Sequence, residues 1–168
     1  MAAASLEHTE RKLLGYTNDQ LRFVDPLEMN LLIAKGIPAL SKLNIFPYTQ
    51  KIVKWATEIK HGLREAEQQF YDTPWHWKND LAFFRLGYMC YYVDEKLGIA
   101  YREDQRDLKF VSYTDANDLF LNGVMDTNRG TCGNMAALHV ALGWRLHWPV
   151  SLACVGSHFI CRYDDGKV

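Results

Sequence analysis

From Thr49 onward, Ile52, Ala56, Ile59, Leu63, Ala66 and Phe70 recur at alternating steps of four and three. That spacing returns to one face of an α-helix, while Lys51, Lys54, Glu58, Lys60, Arg64 and Glu65 fall on the others. It predicts an amphipathic helix over 49–71, whose charged positions read as a solvated face and whose His61 has no partner at ligand spacing. Such a helix must bury its stripe against a second element, and the next segment offers one. Thr73-Pro74 opens it, Gly98 stops it, and Phe83, Phe84, Leu86, Tyr88, Met89, Tyr91, Tyr92 and Val93 leave almost no polar side. A helix apolar all round belongs at the centre of a domain, so residues 81–97 are predicted there. Cys90 then reads as a small core hydrophobe, and Trp75-His76-Trp77 as packing rather than an aromatic binding box.

The flanking chain extends the helical reading. Leu6, Leu13 and Leu14 suggest a short first helix. Asp25-Pro26-Leu27-Glu28 starts a better one, with Asp25 as cap, Pro26 at the first position and Glu28 where a capping box takes a carboxylate. Gly36 and Pro38 end it. Residues 103–107 read as an exposed connection and 109–113 as extended. Residues 114–121 read as a short helix leading into a loop that holds Asp126 and Asn128.

With 168 residues, 48% of them apolar, the chain is long enough for one domain with a sizeable core, and its composition argues against disorder. A net charge of −1 provides no general field for nucleic acid or an anionic membrane. No segment has the length of a signal peptide core or a membrane span, so a cytoplasmic protein is expected. Cys90, Cys132, Cys154 and Cys161 lack C-x-x-C spacing and suggest no disulfide framework.

Chemistry concentrates in Asn128-Arg129-Gly130-Thr131-Cys132-Gly133-Asn134-Met135. Gly130 suits a tight turn, Thr131 a helix cap, and 132–146 reads as a helix with small residues on its flanks. Cys132 therefore falls in the first helical turn, where unpaired N–H groups and the helix dipole favour a thiolate. Its own backbone N–H is one candidate oxyanion donor, and Asn128 is a second. His139 is two turns away along the helix, too far to serve as base. His147 reads as a helix cap.

Beyond Trp148-Pro149, an apolar run leads to Gly156-Ser157 and then His158. Gly156-Ser157 as a two-residue hairpin loop pairs Val155 with His158, Cys154 with Phe159 and Leu152 with Cys161. Alternation places Val150, Leu152, Cys154, Phe159, Cys161 and Tyr163 on one apolar face, with Cys154 and Cys161 in the core. His158 falls on the opposite face, beside small residues that suit an approaching helix. This division makes a zinc site of Cys132, Cys154, His158 and Cys161 the less favoured reading, and no cofactor is expected.

Arg129-Gly130-Thr131-Cys132, the segment Trp144-Arg145-Leu146-His147-Trp148-Pro149-Val150 and Gly156-Ser157-His158-Phe159 together resemble the transglutaminase-like superfamily of papain-like cysteine enzymes. The resemblance implies an α+β fold, with a largely helical part over 1–147 packed on antiparallel strands over 150–168. It implies Cys132 and His158 as catalytic residues for acyl transfer or amide hydrolysis on a protein or peptide-like substrate. It also implies a third residue, Asp or Asn, on the strand after His158. Asp164-Asp165-Gly166-Lys167 reads as a tight turn, which would put that residue near position 173, so the sheet is expected to be incomplete at Val168. A different class stays open, a catalytically inactive binding module on the same fold.

Overall fold

A computed structural model describes residues 9–105, 113–164 and 166. The N-terminal part comprises α1 (Glu10–Leu14), α2 (Asn18–Leu21) and α3 (Pro26–Lys35). The Asp25 side chain accepts the Leu27 N–H at 2.9 Å, as the Asp-Pro start predicts. Asp25 has a second task that spacing did not reveal, an ion pair with Arg145 far along the chain.

The long helix α4 spans Phe46–Asp72 and buries Ile52, Ala56, Ile59, Leu63 and Phe70, as the stripe predicts. It starts a turn earlier than Thr49 because Asn44 accepts the Phe46 N–H at 3.1 Å and Pro47 has no N–H to satisfy. The added turn places Tyr48 in the core.

Helix α5 (Leu81–Tyr91) continues into a π-turn at Tyr92–Lys96. Here the expectation of a helix buried all round fails. Phe84, Met89, Tyr92 and Val93 are buried, yet Phe83 is 42% exposed, Tyr91 45% exposed, and Cys90 lies at the surface. The central element is instead α7 (Cys132–Leu146), which contacts α3, α4, both strands of the C-terminal hairpin and α6 (Leu121–Thr127). Small side chains let it occupy that place. A Cβ on Gly143 would stand 2.7 Å from the Val150 side chain.

The region before Cys132 departs from the predicted pattern. Asp115 caps only a 3-10 turn, Ala116–Asp118, and α6 then begins where Asn30 of α3 accepts the Leu121 N–H at 2.9 Å. Asp126 thus sits in a helix, not a loop, and accepts the Tyr48 hydroxyl at 2.6 Å. Apart from Tyr113, the stretch predicted as extended lies outside the described residues.

Two small sheets complete the α+β fold. Strands β1 (Ala100–Tyr101) and β2 (Arg129–Gly130) pair in parallel, Ala100 with Arg129 and Tyr101 with Gly130. Strands β3 (Val150–Val155) and β4 (His158–Tyr163) pair antiparallel in the register predicted, Val155 with His158 through Val150 with Tyr163. The apolar face is only partly covered: Phe159, Cys161 and Tyr163 are half-buried, whereas Leu152 is 49% exposed and Cys154 is exposed. Cys154 is therefore not a core residue. The covering helices reach β4 but leave the middle of β3 open.

Candidate active site around Cys132

The turn that presents Cys132 is fixed from several sides. Asn128 ends α6 in the left-handed region at φ 55°, its carbonyl accepts the Ala100 N–H at 3.1 Å, and its side-chain amide donates to the Leu97 carbonyl at 3.4 Å. The amide of this candidate oxyanion donor is thus turned toward the chain before β1. Gly130 has a negative φ but no room, because a Cβ would lie 2.6 Å from Met135 Cγ and 2.7 Å from Asn134 Oδ1. Its requirement is close approach, not a special backbone angle.

Thr131 is fully buried and stands at the helix N-cap. Its hydroxyl donates to the Asp118 carbonyl at 2.6 Å, while its N–H donates to Asn134 Oδ1 at 2.8 Å. The Asn134 amide donates in turn to the Asn117 carbonyl at 2.9 Å. Asp118 is held by Arg102 at 2.5 Å, and the Arg102 N–H donates to the Gly130 carbonyl at 2.8 Å. The cysteine turn is therefore tied to β1 and to the 3-10 turn before α6, neither of which spacing could connect to it.

Cys132 occupies the predicted place in the first turn of α7, 4% exposed. Two tyrosines that sequence reading missed surround it. The Tyr113 hydroxyl lies 3.1 Å from Cys132 Sγ, and its ring stands over Gly133. The Tyr101 hydroxyl accepts the Cys132 N–H at 3.2 Å. The expected oxyanion donor is thus in use, with a phenol oxygen in the place an acyl oxygen would take. Neither tyrosine follows a periodic pattern; Tyr101 reaches the site only through the parallel pairing of β1 with β2.

His158 opens β4 with its imidazole exposed, as are Ile160 and Arg162 on the same strand face. Among the described residues no hydrogen bond joins it to Cys132, and no acid or amide orients its ring. Asp164 pairs with Arg162 at 2.7 Å, and the turn expected at 164–167 lies partly outside the described residues. His139 donates through Nδ1 to the Met135 carbonyl, 2.8 Å away, and His147 caps α7 in the left-handed conformation as predicted. No group of three or more His, Cys, Asp or Glu among the described residues is placed to hold a metal. Nor is any helix among them long and apolar enough to cross a membrane.

The profile of the transglutaminase-like superfamily matches residues 54–168, and the chain belongs to that superfamily. No curated protein and no solved structure matches it. The matched span runs from within α4 through β4 and so contains both Cys132 and His158.

Tyrosines, two of them at the site, give the fold an alkaline signature. Burial, then the hydrogen bond to Cys132, pushes Tyr113 up to about 12; burial and Asp126 do the same for Tyr48, also to about 12. Burial first, then the neighbouring Cys132, raises Tyr101. Each group ionises near pH 10 in the unfolded chain, so its folded-state pKa is raised. The associated stability is complete below about pH 10 and is lost as pH climbs toward about 12. Urea unfolding midpoints should fall across that window, less steeply in Tyr113→Phe and Tyr48→Phe. Identical slopes in wild type and both variants would contradict the assignment.

Proposed function

We propose that this protein is a cysteine-nucleophile enzyme that transfers or hydrolyses acyl groups of protein or peptide-like amides. The observation that carries the reading is the place of Cys132 at the N-terminus of a 15-residue buried helix, behind a turn fixed by Thr131 and Asn134, in a transglutaminase-like chain. The helix dipole favours the thiolate there. Sγ attacks the carbonyl carbon, His158 takes the thiol proton, and the imidazolium returns it to the departing amine as the thioester forms. Water or a second amine then releases the acyl group, with His158 removing its proton. For the carbonyl oxygen to reach the Cys132 N–H, the Tyr101 hydroxyl must yield its place.

A second reading has its own observation. Cys132 is capped by Tyr113 and His158 stands exposed without a partner among the described residues, which suits a catalytically inactive protein-binding module on the same fold. Reaction with an activated ester, followed by peptide mapping, separates the two. The enzyme reading expects an acyl adduct at Cys132 that turns over, is absent in Cys132→Ala and forms about a hundredfold more slowly in His158→Ala. Adducts that follow exposure alone, at Cys90 and Cys154, would favour the binding module.

A further inference from the structure

A cavity of about 490 Å³ opens between α7 and the segment running from the end of α5 to β1. It adjoins the nucleophile through Tyr101, which lines it and whose hydroxyl accepts the Cys132 N–H. Met135 and His139 form its α7 wall. Cys132, Met135 and His139 are at i, i+3 and i+7, one helix face, so the α7 wall of the cavity lies on the thiol's side of the helix and ends roughly 10 Å along it from Cys132.

The lining has a definite chemical character. Val93 and Ile99 supply a buried apolar floor, and Tyr91 and Tyr101 supply aromatic walls. Asp94 and Glu95 are exposed at the rim, and neither has an ion-pair partner among the described residues. Among the described residues no lysine or arginine lines the space. Burial lowers the His139 pKa, which favours the neutral imidazole. With Nδ1 turned back to the Met135 carbonyl of its own helix, the opposite ring edge bears Nε2, which has no partner among the described residues. Among the described residues the cavity therefore carries two carboxylates, an unpartnered imidazole nitrogen and π faces, and no cation. Lys96 already sits over the Tyr91 ring, Nζ 5.7 Å from its centroid, and lines the neighbouring groove instead.

We propose that this cavity is a subsite for a basic side chain, lysine or arginine, of a peptide whose adjacent amide is presented to Cys132. The inference rests on the enzyme reading above and names its substrate class. The apolar stem lies along Val93, Ile99 and Met135 while the cationic head meets Asp94, Glu95 and the Tyr101 ring. A residue next to the reacting amide is about 3.8 Å away along the chain, which sets its stem alongside the first turns of α7.

The test uses acetyl-lysine, acetyl-norleucine and acetyl-glutamate halomethyl ketones as probes on the full chain, with modification of Cys132 followed by peptide mapping. The lysine reagent should react about fivefold to tenfold faster than the norleucine reagent, the glutamate reagent slowest. The lysine-to-norleucine ratio should shrink toward one in D94N/E95Q and with added salt, and D94K/E95K should favour glutamate. A ratio near one in the wild type, or one unchanged in D94N/E95Q, overturns the subsite while leaving Cys132 as nucleophile. Binding of acetyl-lysine methylamide, followed by NMR shifts at Met135 and His139, separates the two ideas. If no reagent modifies Cys132 yet the amide still binds more tightly than its norleucine counterpart, the subsite stands and the enzyme reading falls.

Discussion

Gly123→Ala is expected to lower the unfolding free energy by about 3 kcal/mol or more, a large loss for one methyl group. A Cβ at Gly123 would lie 2.0 Å from the Asn117 carbonyl oxygen and 2.6 Å from two further Asn117 backbone atoms. No rotamer change relieves a contact with backbone, so α6 or the 3-10 turn must move. Gly98 provides the contrast. It has φ +64° with open space around it, so Gly98→Ala should cost only about 1–2 kcal/mol of backbone strain. The Gly123 substitution should also reach the site, because the Asn117 carbonyl anchors Asn134, which holds the Thr131 turn. Urea denaturation measures the first effect and the Cys132 alkylation rate the second. A Gly123→Ala loss no greater than that of Gly98→Ala would mean that α6 slides freely.

What the sequence revealed and what it concealed divide along a physical line. Periodicity and turn chemistry are local, and they located α4, the start of α7 at Cys132 and the β3–β4 register. Tertiary partners are not local. Asn30 caps α6 from 91 residues away, and Tyr101 reaches Cys132 across 31. Hydrophobicity also misjudged which helix is central: α5 is the more apolar in type, yet α7 has the small residues that permit close packing on several sides. Cys154 illustrates the same limit in a strand. Alternation assigned its face correctly, but whether anything covers that face depends on how far the helices extend.

Tyr113→Ala is expected to speed alkylation of Cys132 by about tenfold or more. The thiol is 4% exposed, and the Tyr113 hydroxyl 3.1 Å from Sγ is the polar part of its cover. The aromatic ring stands against the neighbouring Gly133, where a Cβ would touch the Tyr113 oxygen at 3.3 Å. A hydrogen bond of about 1 kcal/mol corresponds to roughly fivefold in an opening equilibrium, and loss of the ring adds to that. Tyr113→Phe removes only the hydroxyl and should give the smaller part of the effect. Exposed Cys154 is the internal reference, since its rate should be the same in all three proteins. Iodoacetamide labelling with mass-spectrometric quantification reads both rates in one sample. If Tyr113→Ala leaves Cys132 as slow as in the wild type while Tyr101→Ala accelerates it, the barrier at the thiol lies with the phenol over its N–H rather than the one at its sulfur.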